Sequence, residues 1–418
     1  MGKRILVISH TDHHELGHGW SLAKQFESLG FETQIIFFIK RRNPDTQNYI
    51  IDYHKPFSPK YVLYAIIRFL NWLTFPGKSG KSWFRGLVYP AHRDILRRIK
   101  RRPDIIVIGS FVRFLSPKAI RDLYEKTHAM IVFCPPDEQM LTGGCRYPHE
   151  CTLYKQGCAG CQKTPYMRRI PERVLKQRET FLKDVPFHFV GSSFGLRQAQ
   201  NVTYMKGKPF HIAVTVPDVP LVKSKYDARL RLGIEDVEFL ILAGAANLDN
   251  DRKGIPELLD SLHLLADRIN SNHPVTVLLI GNKEDRIATD SRLKFICPGY
   301  LGLEDLFTAF YACDVFACPS LYDSGPMMVN YAIACGRPVV AFPVGVAPDL
   351  VLHRQTGWMA PFRDTGSFAD GLEFFYHCTA KELAVFQDNC LTRMKYFEER
   401  PWYMFMLEEQ NTLNDTFQ

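Results

Sequence analysis

A chain of 418 residues is long enough for two or three domains with substantial cores. With 46% apolar and 23% charged residues, 30 Phe and 18 Tyr, its make-up excludes a disordered or low-complexity protein. The net charge of +8 is uneven: between Lys40 and Arg102, fifteen Lys/Arg face only Asp45, Asp52 and Asp94, a local +12 that leaves about −4 elsewhere and bears on partners, not fold.

The first apolar run, Arg4-Ile5-Leu6-Val7-Ile8, is too short for a secretory signal and has no small-residue cleavage site. Eleven cysteines, an odd number without an export signal, argue against a disulfide framework, so a cytoplasmic protein is expected. The longest apolar stretch, Tyr61–Phe75, contains Arg68 and Asn71 and is too short and polar to span a bilayer.

Lys3–Ser9 is predicted as a strand, and Leu22, Ala23, Phe26 and Leu29 fall at helical spacing after it. Gly30 stands where a helix C-cap belongs, and Thr33–Ile39 is a second strand, which completes a βαβ unit. Asp104–Gly109 and Ala129–Phe133 continue the pattern. The same grammar restarts at Phe239–Ala243, with a helix over Ile255–Ile269 and strands over Val275–Ile280 and Leu293–Cys297. A helix over Leu303–Ala312, a strand over Val315–Ala317, a helix over Met327–Cys335 and a strand over Val339–Phe342 follow.

Two such runs predict two doubly wound α/β domains, 1–216 and 217–390, joined in the Pro-containing stretch Val216–Lys225. A helical tail over 391–418 is expected to return to the first domain. Ligands of such domains sit at the carboxyl ends of strands, so a cleft between the two is the expected site.

Asn247-Leu248-Asp249-Asn250-Asp251-Arg252-Lys253-Gly254 lies between a strand end and a helix start. Cations are disfavoured at a helix N-terminus unless an anion arrives, so Arg252 and Lys253 point to a phosphate-bearing ligand. Neutralisation by Asp249 and Asp251 on a solvated loop is the alternative. In Pro319-Ser320-Leu321-Tyr322-Asp323-Ser324-Gly325-Pro326-Met327-Met328, Asp323 or Ser324 either caps the next helix or receives ligand hydroxyls.

Cys318-Pro319-Ser320, Ala334-Cys335-Gly336-Arg337-Pro338-Val339-Val340-Ala341, Gly345, Pro348-Asp349 and Gly357 together resemble the donor-binding region of family 4 of the retaining glycosyltransferases. Arg252-Lys253-Gly254 is similar to that family's diphosphate-binding Lys-Gly. The resemblance implies a GT-B fold of two facing Rossmann-like domains. It also implies transfer of a hexose from a nucleotide diphosphate sugar, with no cofactor for catalysis.

The sequence departs from the family pattern at the first glutamate, where Asp323 stands, and at the second, where Tyr331 follows Asn330. In the family the second glutamate grips the ribose. The upstream diphosphate arginine is replaced by Ala246 or Asn247, with Arg252 as the compensating cation. A family His-Asp pair corresponds to Pro136-Asp137, leaving Asp137 to contact or deprotonate an acceptor hydroxyl or, alternatively, to cap its loop. The implied catalytic residues are Asp137, Lys253 and Asp323. The implied donor-binding residues are Gly17, Asn247, Arg252, Lys253, Asp323, Ser324, Gly325, Met327, Met328 and Tyr331, with Gly17 in the loop Gly17-His18-Gly19.

Thr142-Gly143-Gly144-Cys145 precedes Cys151, Cys158 and Cys161, and Cys158-Ala159-Gly160-Cys161 has the spacing of a metal knuckle. Structural zinc on Cys145, Cys151, Cys158 and Cys161, with His149 in reserve, is one reading; a disulfide pair or free thiols is the other. A similar Thr-Gly-Gly-Cys segment marks a bacterial polysaccharide-assembly subgroup of the family. In the basic segment, Tyr61, Tyr64, Phe69, Trp72, Phe75, Trp83 and Phe84 interleave with Lys/Arg. Such interleaving suits an anionic membrane interface, nucleic acid, or a core-facing stripe with a basic rim. The expectation is a glycan or lipid-linked acceptor in surface polysaccharide assembly, peripheral attachment to the inner membrane face and no nucleic acid. A non-catalytic nucleotide-sugar binder and a GT-B epimerase are the alternatives.

Overall fold

A computed structural model describes residues 3–11, 18–40, 48–74, 91–109, 114–161, 169–220, 224–235, 238–269, 273–282 and 290–407. The chain divides into two compact units, Met1–Gly191 with Gly195–His211, and Ser192–Phe194 with Ile212–Gln418.

In the first unit the strands are β1 (Arg4–Thr11), β2 (Glu32–Lys40), β3 (Tyr49–Asp52), β4 (Ile105–Ile108), β5 (Met130–Phe133), β6 (Phe187–Gly191) and β7 (Phe210–Ile212). Its helices are α1 (His18–Ser28), α2 (Pro59–Thr74), α3 (His92–Arg98), α4 (Pro117–Thr127), α5 (Arg169–Leu182) and α6 (Ser193–Ala199), the last straddling the division between units. The sheet order is β3-β2-β1-β4-β5-β6-β7, with β1 to β6 paired in parallel. Helix α1 ends one residue short of the expected Leu29, which is 44% exposed beside Gly30 at φ +82°. The left-handed glycine turns the chain before Leu29 can join the buried face.

The second unit runs α7 (Lys225–Leu232), β8 (Phe239–Asn247), α8 (Ile255–Arg268), β9 (Val275–Asn282), β10 (Lys294–Gly299), α9 (Leu303–Ala312) and β11 (Val315–Cys318). It continues with α10 (Met327–Ala334), β12 (Val339–Ala341), α11 (Ala347–Leu350), β13 (Gly357–Met359), α12 (Thr365–Tyr376) and α13 (Ala380–Glu399). Its parallel sheet has the order β10-β9-β8-β11-β12-β13, the same reversal about a central pair as in the first unit.

Both faces of this sheet are covered, which is why its strands read as continuous apolar runs. Along β8, Leu240 and Leu242 enter one core with Phe310 and Ile333. Phe239, Ile241 and Ala243 enter the other with Leu258, Leu262 and Phe368. Helix α8 buries Ile255, Leu258, Leu262 and Leu265 at helical spacing, each worth about 1.5–3 kcal/mol of apolar burial. Helix α13 starts in a Thr379/Glu382 capping box and packs Cys390, Met394 and Phe397 into the second unit's core. There Arg393 donates to the Asp349 carbonyl through Nε at 2.9 Å and Nη2 at 2.6 Å.

Candidate active site

Where strand order reverses, the connections leaving two neighbouring strands run to opposite faces and open a crevice at their carboxyl ends. In the second unit that point lies between β8 and β11, paired in parallel from Val315/Ile241 to Ala317/Ala243. The segment 248–254 follows β8 and the segment 319–326 follows β11, so the topology brings together two motifs some seventy residues apart.

Their backbones are clasped. The Arg252 carbonyl accepts the Leu321 N–H at 2.8 Å and the Tyr322 N–H at 3.2 Å. Gly254, the N-cap of α8, has φ +67°, and a Cβ on it would lie 1.9 Å from the Pro319 carbonyl oxygen. Only glycine satisfies both constraints. Gly254→Ala is therefore expected to cost at least about 3 kcal/mol, since backbone strain adds to a clash with a rigid carbonyl; urea unfolding monitored by circular dichroism checks it. Gly345, at φ +61°, does similar work from the other side: its Cβ would lie 2.9 Å from the Asp323 carbonyl and 2.6 Å from Pro326 Cδ.

On this clasp, two cations meet on one carboxylate oxygen. Arg252 Nη1 and Lys253 Nζ each donate to Asp323 Oδ2 at 2.6 Å, and the Gly325 N–H donates to Oδ1 at 3.2 Å. Asp323 is buried, while the two cationic side chains each keep 19% exposure. Burial alone would raise the Asp323 carboxyl, but Lys253 and Arg252 together hold it below the usual carboxylate range. Neither nearby helix has a side-chain cap: the N-cap positions of α8 and α10 are Gly254 and Pro326. Of the two roles open to Asp323 and Ser324, capping α10 is not made; Asp323 serves the cations and the Gly325 N–H.

The remaining donor-site residues are distributed around this cluster. Asn247 Oδ1 accepts the Asp249 N–H at 2.8 Å, shaping the turn that leads to Arg252. The Ser324 carbonyl accepts the Ser192 hydroxyl at 3.1 Å, and Phe194 meets Tyr322 edge-on at 5.8 Å; both partners belong to the second unit. Gly325 and Met327 are exposed at the start of α10, and Met328 is half-buried. Tyr331 packs edge-on against Phe307 at 5.1 Å and Phe310 at 6.1 Å, so its ring belongs to the core's edge. Gly345 carries part of the family resemblance, whereas Ser192 and the roles of the Leu321 and Tyr322 amides are not legible in the sequence, since backbone contacts carry no residue signature.

In the first unit, Gly17 lies outside the described residues. Gly19 lets α1 approach β1, since a Cβ there would fall 2.3 Å from Ser9 Cβ. Asp137 follows β5 with both oxygens engaged: Oδ1 accepts the Gln139 N–H at 3.0 Å and Oδ2 accepts Arg146 Nε at 2.8 Å. The loop-capping alternative for Asp137 is what this geometry contains.

Cys158 has Cys145, Cys151 and Cys161 as electrostatic neighbours in the loop that carries the Thr-Gly-Gly-Cys run. Among the described residues, no group of three or more His, Cys, Asp or Glu side chains is arranged to hold a metal ion. Burial pushes the Cys158 thiol up to about 11, with the neighbouring thiols adding to the shift, and the Gly143 N–H donates to its sulfur at 3.3 Å. Arg178 braces this loop from within the protein. Its buried guanidinium donates to the carbonyls of Met140, at 2.8 Å, and Thr142. Gly143 packs so tightly on α5 that a Cβ would lie 2.5 Å from the Pro171 carbonyl. The Thr-Gly-Gly run is thereby explained by packing.

Residues 239–377 match the family model for Glycosyl transferases group 1. A D-inositol 3-phosphate glycosyltransferase of Saccharomonospora viridis is 37% identical over 86 residues, 21% of this chain and 20% of that protein. The chain thus matches this curated relative over about a fifth of the relative's length. Among solved structures, sucrose-phosphate synthase from Thermosynechococcus elongatus superposes with a TM-score of 0.63 at 14% identity over 99% of both chains. HepE of Anabaena, in complex with UDP and glucose, gives 0.58 at 14% identity over 99% of this chain and 100% of that one. The fold is GT-B: two Rossmann-like units with parallel sheets of seven and six described strands.

Proposed function

We propose that this protein is a retaining glycosyltransferase that moves a hexose from a nucleotide diphosphate sugar to a glycan or lipid-linked acceptor in surface polysaccharide assembly. The observation that carries this reading is the convergence of Arg252 and Lys253 on Asp323 Oδ2 at the β8/β11 switch point. The group 1 match over 239–377 and the UDP and glucose bound by HepE support it.

A diphosphate entering this crevice offers separate oxygens to the two cations, relieving their crowding on a single carboxylate oxygen. Asp323, released, turns to a sugar hydroxyl. As the bond from the anomeric carbon to the diphosphate oxygen breaks, negative charge grows where Lys253 and Arg252 already point, and preorganised charge of this kind is the largest rate term available. The acceptor hydroxyl attacks the anomeric carbon from the face that the leaving group vacates, and its proton passes to the departing phosphate. No protein nucleophile is needed. In this reading Arg252 and Lys253 supply the charge neutralisation, and catalysis calls for no cofactor.

A thermal-shift screen across nucleotide diphosphate sugars tests the binding half, since a ligand that binds only the folded state raises the melting temperature. At 100-fold excess over Kd the stabilisation is about 2.7 kcal/mol. Nucleoside diphosphate release that depends on added acceptor tests the transfer half. Stabilisation without turnover for any acceptor would instead make the chain a nucleotide-sugar-binding protein, and conversion of the donor without acceptor would make it an epimerase.

A further inference from the structure

Helix α2 is inverted relative to an ordinary surface helix. Tyr64 is its buried anchor in the first unit's core, with Tyr61 and Ile67 partly buried beside it. Five other apolar residues point the other way: Val62, Leu63, Ile66, Phe69 and Leu70 are between 42% and 56% exposed. At 100° per residue these five occupy one arc of about 120°. Phe57, just before the helix, is 93% exposed.

The orientation is fixed from two sides. Lys60 Nζ pairs with Asp94 of α3 at 2.6 Å, and Arg68 Nη1 donates to the Tyr53 hydroxyl at 2.5 Å. Rolling the apolar arc inward would break both contacts and expose Tyr64. Single exposed apolar residues are ordinary on a protein surface, but a continuous stripe of five on one helix marks an interaction surface. The occupant is indicated by charge: α2 lies within the sequence segment 40–102, whose net charge is +12, and Lys55, Lys60 and Arg68, just before and on the helix, keep solvent exposure.

We infer that α2 docks the protein on an anionic lipid surface, lying in the interfacial plane with its apolar arc toward the acyl chains, the positive charge of the 40–102 sequence segment favouring anionic headgroups. Among the described residues no helix is long and apolar enough to cross a membrane, so the attachment is made by a face. This docking does not depend on the transfer reaction proposed above, although a docked enzyme would meet lipid-linked acceptors at their headgroups.

The test is co-sedimentation of the full chain with phosphatidylcholine vesicles, with and without phosphatidylglycerol, at low and high salt. Binding is expected to the phosphatidylglycerol-containing vesicles, weakening as salt rises. The double variant Leu63→Gln/Ile66→Gln, altered only on the outward arc, should bind on the order of tenfold less or weaker, at an unchanged melting temperature. The nucleotide-sugar thermal shift should be the same in both proteins, so failure of docking and failure of the donor site are read separately. Equal binding to neutral and anionic vesicles overturns the inference, as does a double variant that binds like the parent. A parent that is a dimer in sedimentation equilibrium, and that the double variant converts to monomer, overturns it too, since the stripe would then be a self-interface.

Discussion

Lys253→Ala is expected to lower transfer turnover by about two to three orders of magnitude, the range seen when one preorganised charge is removed from a developing anion. The loss should fall more on kcat than on KM, because the leaving diphosphate gains its charge during bond cleavage rather than on binding. Folding should survive: Asp323 would still have Arg252 at 2.6 Å and the Gly325 N–H at 3.2 Å, so the stability cost is about 1 kcal/mol. Initial rates with saturating donor and acceptor, set beside the melting temperature of each protein, separate the two effects. Lys253→Arg should recover part of the rate by retaining the charge in a different geometry. Turnover within tenfold of the parent in the alanine variant would remove Lys253 from the mechanism.

Most of the second unit was legible because a parallel sheet covered on both faces leaves a strong imprint. Runs such as Phe239–Ala243 and Val275–Ile280 are apolar at every position, and Gly254-Ile255-Pro256 marks a helix start in the residues themselves. The Arg252-Lys253 and Asp323 segments were legible singly as phosphate and hydroxyl candidates. Their meeting on one carboxylate oxygen follows from strand order, which periodicity does not encode.

Other features were ambiguous for identifiable reasons. Asp137 after a strand suits a catalytic carboxylate or a cap equally well, and its ion-pair partner, Arg146, lies nine residues away across a loop. Cysteine spacing fixes how far apart thiols are along the chain, not where their sulfurs point. The role of Thr142-Gly143-Gly144 depended on Arg178, which one would have to find in a distant helix. For α2, composition suggested aromatics within a basic segment and left open which face is buried. Tyr64, with Tyr61 and Ile67 beside it, faces the core, while Val62, Leu63, Ile66, Phe69 and Leu70 face out.

Asp323→Asn is expected to weaken the free protein while strengthening its response to a diphosphate. The substitution leaves two cations facing a neutral amide. Removing one partner of a fully buried ion pair costs 3–5 kcal/mol, and the 19% exposure of both cations reduces this to about 2–3 kcal/mol. For a unit of this size that is a fall of roughly 5–10 °C in Tm.

The pH dependence has a definite sign. Because the Asp323 carboxyl lies below its ordinary value when folded, its contribution is complete above the unfolded carboxylate pKa and is lost as pH falls through the folded one. The Tm gap between parent and variant should therefore be constant from neutral pH down to about pH 5 and close below about pH 4. A nucleoside diphosphate must compete with Asp323 in the parent but meets no internal anion in the variant, so its thermal shift should be larger in Asp323→Asn even as transfer falls. An equal shift in the two proteins would mean that diphosphate and Asp323 do not contend for Lys253 and Arg252, and the anion would then have to bind elsewhere.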